Sequence, residues 1–262
     1  MPPKPSSEFA DRGTLLHDVI SEILGKDLPG QTFIGTKYND QVLTQELYEE
    51  KIVTALELLD EVDPDKRLEY EVETRVGFGD LLPGVFGSTD LVGRLDSHAV
   101  VLDWKFGDGV VVDAEENPQL MFYAACSMRT ERTKWAFEGV DEIECVIVQP
   151  PYIRRWITTP ARIEQFCKDL VVAVRTAQSA NPPLASGDHC RWCAAKPICP
   201  QMTGEVDRAL KTQLSALPAE QISTLLGQAD RLEDFKKASC ESCSKGERVT
   251  TKTKFRFVHD SA

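Results

Sequence analysis

The sequence predicts an α/β fold, a mixed central sheet flanked by helices, with a Cys-rich module after the core. Three observations predict it. Apolar residues recur at helical spacing over the first sixty or so residues, then alternate with charged residues from Arg67 onward. A continuous apolar run, Val100-Val101-Leu102, reads as a strand covered on both faces. Three cysteines crowd into residues 190–199, beyond the last core helix.

Taken in order, residues 1–11 read as a leader with three Pro and two Ser. Leu15, Leu16, Val19, Ile20, Ile23 and Leu24 then mark a helix that Gly25 and Pro29 end. A second helix is expected over 42–62, with Leu43, Leu47, Ile52, Leu56 and Leu59 on its apolar side. Leu68, Tyr70, Val72 and Thr74 alternate as a half-buried strand, residues 85–94 form a second and 98–106 a third. Residues 115–130 read as a helix. Residues 143–148 and 152–158 read as paired strands around Pro150-Pro151, and 161–180 as a helix broken by Asn181-Pro182-Pro183. A helix over 217–237 and a short strand over 247–258 complete the pattern. The expected organisation is a leader at 1–11, a core at 12–180, a Cys-rich segment at 181–204 and a C-terminal helix and strand at 205–262.

Composition narrows the function. The chain has 262 residues, 42% of them apolar, enough for one large domain or a domain with appendages. Its net charge of −12 excludes a protein that coats nucleic acid by bulk attraction. It leaves room for an enzyme with a local basic groove. No apolar run reaches the ~18 residues of a membrane span, and the first residues lack a signal-peptide core. The expected location is therefore the cytoplasm, with no membrane partner. Of eight cysteines, Cys126, Cys145 and Cys167 sit singly in apolar patterns and are read as core.

The candidate chemistry lies at two strand ends. Asp103 and Lys105 stand at i and i+2 and project to one face, and Asp90 is late on the neighbouring strand, thirteen residues upstream. Hydrolysis of a phosphodiester needs a hard cation to neutralise the phosphate and to acidify a water. Two Asp carboxylates and the backbone carbonyl of Trp104 offer oxygens for such an ion, Mg²⁺ or Mn²⁺. A lysine ammonium beside the ion can orient the water or offset developing charge. An Asp-x-Lys triplet by itself is commonly a plain salt bridge.

The wider pattern resembles the PD-(D/E)XK nuclease superfamily and, within it, the RecB/AddB-like branch, whose core is restriction-endonuclease-like. Gly13-Thr14-Leu15-Leu16-His17 is similar to that branch's Gly-x-x-x-His element, Asp90 and Asp103-Trp104-Lys105 to its catalytic strands, and Gln119-Leu120-Met121-Phe122-Tyr123 to its Gln-x-x-x-Tyr element. The four motifs span about residues 12–125 in the family's order. The resemblance implies that His17, Asp90 and Asp103 bind metal and that Lys105 assists the nucleophilic water. Gln119 and Tyr123 would contact DNA or brace the site. Glu22 and Glu73 are further acidic candidates. The run from RGTLLH through DWKFGDG and QLMFYA to HCRWC looks like a phage-encoded type. That implies work on DNA in phage recombination, replication or processing inside a bacterial host, with a single-strand annealing protein as a possible partner.

Cys190, Cys193 and Cys199 form C-x₂-C-x₅-C, a density of thiolates suited to zinc or an iron–sulfur cluster. The arrangement is similar to the C-terminal clamp of AddB-type and CRISPR-associated adaptation nucleases. Those proteins hold a 4Fe–4S cluster with three late cysteines and one early one. Here no Cys precedes Cys126, so the fourth ligand is not found. A longer N-terminus, a degenerate cluster and a substitute ligand all stay open. Cys240 and Cys243 offer a rival, a Cys₄ zinc site with Cys190 and Cys193.

Arg154, Arg155 and Trp156, with Arg129, Arg132 and Lys134, are candidates for phosphate contact and base stacking. The expected activity is a metal-dependent deoxyribonuclease, an exonuclease acting on single strands or duplex ends. The alternative is a non-catalytic DNA-binding or complex-assembly subunit that keeps the fold.

Overall fold

The computed structural model describes residues 7–107, 110–187, 189–190 and 193–202. The helix expected at 217–237, the strand at 247–258, Cys240 and Cys243 lie outside these residues. The chain divides into two units, Met1–Thr176 and Ala177–Ala262.

The first unit opens with α1, Glu8–Lys26. It starts inside the expected leader, because Ser7 is an N-cap. Its hydroxyl accepts from the Ala10 N–H at 3.3 Å, and Glu8 and Asp11 favour the positive helix end. A two-residue hairpin follows, β1 Lys37–Tyr38 and β2 Gln41–Val42, around Asn39 in the left-handed region. The expected 42–62 helix is one run in three parts: α2 Gln45–Leu47, a wider π turn Tyr48–Val53, and α3 Thr54–Val62. Thr44 caps it by accepting from Leu47 N–H at 3.1 Å.

The sheet has five strands in chain order: β3 Glu69–Gly77, β4 Phe86–Leu95, β5 His98–Trp104, β6 Glu142–Gln149 and β7 Tyr152–Thr158. β5 and β6 pair in parallel, and the other three pairings are antiparallel, so the sheet is mixed as expected. The parallel step needs a crossover, and α4 Pro118–Ser127 lies within it. α4 begins three residues later than the sequence suggests. Asn117 sets that point by accepting from the N–H groups of Gln119 and Leu120, with Pro118 in the first turn. α5 Pro160–Ala177 closes the unit.

Two apolar clusters lie on the two faces of the sheet. α1 and the 45–62 run pack Leu16, Ile20, Ile52 and Leu59 against Leu91, Val100, Leu102 and Trp104. α4 and α5 pack Leu120, Ala124, Ile163 and Cys167 against Val92, Val101, Cys145 and Ile147. β5 is therefore buried on both sides, which is why its sequence is an unbroken apolar run. Cys126, Cys145 and Cys167 belong to the second cluster, as expected. Burial pushes the Cys126 and Cys145 thiols up to about 12. No helix among the described residues is long and apolar enough to cross a membrane.

Candidate active site

Strand direction decides what meets at one end of the sheet. β5 and β6 run parallel, so their C-terminal ends lie together with the start of β7 and, through the antiparallel pairings, with the start of β4 and the end of β3. Asp90, Asp103, Lys105, Glu73 and Arg154 all fall at this end. α1 delivers His17 from one layer and α4 delivers Gln119 and Tyr123 from the other.

The β4–β5 ladder runs to Leu91↔Leu102. One residue farther on, the Asp90 side chain takes over, and its Oδ2 accepts from the Trp104 N–H at 2.7 Å. His17 Nδ1 lies 3.5 Å from the same oxygen, and its ring stands edge-on to Phe106 with centroids 5.3 Å apart. Asp103 is buried, and its Oδ2 forms an ion pair with Lys105 Nζ at 2.5 Å. Lys105 donates to Gln119 Oε1 at 2.9 Å, and Gln119 Nε2 donates to the Tyr123 hydroxyl at 2.9 Å. Asp103, Lys105, Gln119 and Tyr123 thus form one polar chain from β5 to α4. In this structure Gln119 and Tyr123 brace the lysine.

The electrostatics describe a site short of positive charge. Burial first, and then the neighbouring Asp103, push the Asp90 carboxyl up from 3.8 to about 8. Burial raises Asp103 too, with the Lys105 ammonium opposing. Burial lowers His17 to about 4, Lys105 adds to the effect, and a hydrogen bond to the Trp104 backbone opposes it. At neutral pH the imidazole is therefore uncharged, beside two acidic groups that burial and mutual repulsion disfavour as anions.

Glu73 joins this group. One ligand atom each from His17, Glu73 and Asp90 lie within 4.8 Å of one another. Glu73 has φ +44°, and it faces Asp90 between the paired positions Val72↔Leu91 and Thr74↔Thr89. The kink inverts the strand's alternation: Val72 packs with the first cluster and Val76 with the second, although both are even-numbered positions on one strand. Burial raises the Glu73 carboxyl, and the Ser88 hydroxyl, donating at 3.1 Å, lowers it.

Two supporting residues carry no obvious sequence signal. A Cβ at Gly87 would meet Tyr123 Cε1 at 3.0 Å and Phe122 Cε1 at 3.1 Å, so glycine lets α4 approach β4 there. By contrast, a Cβ at Gly13 of the Gly-x-x-x-His element meets nothing within 4 Å. Gln149, buried at the end of β6, pins the segment after β5. Its amide donates to the carbonyls of Gly107 at 3.2 Å and Val110 at 2.8 Å, and accepts from Val112 N–H at 3.2 Å. A buried glutamine ending an apolar strand was the only available hint.

The residues expected to contact DNA also make contacts within the protein. Asp103 pairs with Ile147 and Ile147 with Arg154, so Arg154 shares the face of Asp103, two strands away. Arg155 points to the opposite face, where it pairs with the buried carboxylate of Glu144, which also faces His98 at 3.3 Å. Trp156 packs against the second cluster. Arg129 ties α4 to Glu164 of α5 at 2.6 Å, Arg132 holds Glu71 at 2.5 Å, and Lys134 holds Glu131 at 2.7 Å. Glu22 pairs with Lys26 on the exposed surface of α1, away from the carboxylate group. In the second unit Cys190 is buried, Cys193 exposed and Cys199 between the two. Among the described residues, these thiols are not brought within the 4.8 Å spacing that joins His17, Glu73 and Asp90.

The chain belongs to the family described as DUF2800, protein of unknown function, whose model matches residues 2–255. Among solved structures, one titled "Crystal structure of SSO0001" aligns at 17% identity and a TM-score of 0.30, covering 71% of this chain and 84% of that one.

Proposed function

We propose that this chain is a metal-dependent deoxyribonuclease of the PD-(D/E)XK type, RecB/AddB-like, cutting single strands or duplex ends as an exonuclease. The observation that carries the reading is the meeting of buried Asp90 and Asp103 with Lys105 at one sheet end. Two carboxylates crowded in a low-dielectric site favour a cation, and Lys105 brings a single positive charge to the pair.

Asp90, Asp103 and the Trp104 carbonyl would hold Mg²⁺ or Mn²⁺, with His17 as a nitrogen donor. When bound, such an ion acidifies a water and neutralises phosphate charge. The protein's own groups do the rest. The Trp104 N–H fixes the Asp90 carboxylate by donating to Oδ2. Lys105, held by Gln119, places a fixed ammonium where negative charge develops on the phosphate, and Tyr123 in turn holds Gln119. Arg154 lies on the same face two strands away, where it would meet a neighbouring phosphate. The exonuclease preference and the setting in phage DNA processing rest on the sequence resemblance.

Labelled single- and double-stranded DNA, incubated with Mg²⁺, Mn²⁺ or EDTA, tests the reading. Cleavage should require metal. It should fall by roughly 10²–10³ in Lys105→Ala, the usual loss of one transition-state charge stabiliser. DNA binding without cleavage under any metal would instead favour a non-catalytic subunit.

A further inference from the structure

We infer that Phe86 and Tyr152 are base-stacking residues, backed by Arg75 and Arg154, and that they select single-stranded DNA for the site between them. The inference deepens the nuclease reading and rests on it, but its aromatic residues lie outside the carboxylate and lysine groups.

Strand direction places both rings at the site. β4 and β7 run antiparallel to the parallel β5–β6 pair, so their first residues lie at the sheet end that holds Asp103 and Lys105. Phe86 is the first residue of β4 and Tyr152 the first of β7. Three sheet spacings, roughly 14 Å, separate these strands, with Asp103 between them on β5. The two rings also belong to different layers. A Cβ at Gly87 would point at Phe122 and Tyr123 of α4, so Phe86 beside it points toward the α1 layer. Tyr152 and Arg154 share the face of Asp103, which is the α4 side. A DNA strand joining the two rings therefore crosses the sheet end obliquely, over the Asp90–Asp103 site.

Phe86 is 58% exposed and Tyr152 61%. A lone exposed ring is ordinary, but each of these carries an arginine. The Arg75 guanidinium stands 3.8 Å from the Phe86 centroid, and that of Arg154 stands 5.6 Å from the Tyr152 centroid. A guanidinium stacked on a ring keeps its N–H edge for phosphate and leaves the ring's second face for a base. Charge points the same way. In a chain of net charge −12, Arg67, Arg129, Arg132, Arg155 and Arg162 each hold a carboxylate. Among the described residues Arg75 and Arg154 hold none, and Arg154 instead donates to the neutral Gln149 amide oxygen at 3.5 Å. Two cations without carboxylates, one on each flank of the site, complement a phosphate backbone.

Base stacking is what distinguishes the strand from the duplex. In a duplex the base faces are already covered by neighbouring pairs, whereas an unpaired strand can turn a face to an aromatic ring, whatever the base. Trp156, also on β7, packs against the second cluster, so Tyr152 is the ring of that strand placed for the role.

Fluorescence anisotropy of the full-length protein in EDTA tests this on labelled ligands of one length: an oligothymidine single strand, a blunt duplex, and a single strand of abasic sites, which keeps the phosphates and lacks the bases. Wild type should bind the oligothymidine most tightly. Phe86→Ala and Tyr152→Ala should each weaken that binding roughly 5- to 150-fold, the loss of one stacked base, with little change on the duplex or the abasic strand. Phe86→Trp should retain it. Circular dichroism checks the fold of each variant. Equal losses on all the ligands, no loss on the oligothymidine, or a wild type without preference for it would each overturn the inference. The assay holds no metal, so its result is separate from cleavage. Base-dependent binding with no cleavage in Mg²⁺ or Mn²⁺ removes the nuclease reading alone. Cleavage with binding indifferent to both rings removes the stacking assignment alone.

Discussion

Replacing Asp90 by Asn should make the metal-free protein more stable at neutral pH while removing a carboxylate of the proposed metal site. In the folded protein, burial and Asp103 raise this carboxyl from 3.8 to about 8. In the unfolded chain it ionises near its ordinary value. Between those limits the folded state holds a proton that the unfolded state has released. The stability associated with Asp90 is thus fully present below about pH 4 and is lost as pH rises toward 8. At pH 7 the gap is about 3 pH units at roughly 1.36 kcal/mol each, or about 4 kcal/mol. Asp103 shares the burden of the single charge, so the gain assigned to Asp90→Asn is about 2 kcal/mol. The amide keeps the shape, and its carbonyl still accepts from Trp104 N–H. Thermal denaturation in EDTA, followed by circular dichroism from pH 4 to 8, measures this. The stability difference between variant and wild type should be small at pH 4 and should grow steadily to pH 8. Saturating Mg²⁺ should reverse the order, because the ion stabilises only the protein that binds it, by about 2.7 kcal/mol at one hundred times Kd. A pH-independent difference, or a variant less stable than wild type at pH 7 in EDTA, would refute the reasoning.

Four further outcomes follow from named contacts. Gln119→Leu frees Lys105 from α4 and should lower kcat roughly tenfold or more with KM little changed, since only positioning in the transition state is lost. Gly87→Val should push Tyr123 and Phe122 away from β4 and cost about 1–3 kcal/mol by overpacking, read by urea denaturation; an unchanged midpoint would contradict the close approach. Arg155→Ala strands the buried Glu144 carboxylate and should cost about 2 kcal/mol, discounted because the arginine is partly exposed, with DNA affinity unchanged. Arg154→Ala should do the converse, weakening DNA binding and its salt dependence at unchanged stability. Fluorescence anisotropy in EDTA, with Lys105→Ala as background, separates the two arginines.

Much of the fold is legible because each layer has its own periodicity. Leu15, Leu16, Val19, Ile20 and Ile23 read as one helical face, and all five are buried on α1. The apolar run before Asp103 marks the strand covered on both sides, and Asp103 and Lys105 at i and i+2 share a face by strand geometry alone. Other features are not local. The kink at Glu73 inverts the alternation of β3, so period-two reasoning fails between Val72 and Val76. The helix start at Glu8 was missed because Ser7 caps it from within a Pro- and Ser-rich stretch that reads as a leader.

The sequence by itself determined the α/β layers, the strand that carries Asp103 and Lys105, and the residue types of a candidate metal site. These depend on spacing along one element, which backbone geometry fixes. Only the tertiary structure decided which groups meet. Strand direction placed Asp90 Oδ2 against Trp104 N–H, and cross-strand register put Arg154, not Arg155, on the face of Asp103. The same folding turned Gln119 toward Lys105 and brought Glu73 to His17 and Asp90. Those outcomes depend on how separate elements pair across the sheet, and pairing is settled by packing between residues far apart in the chain.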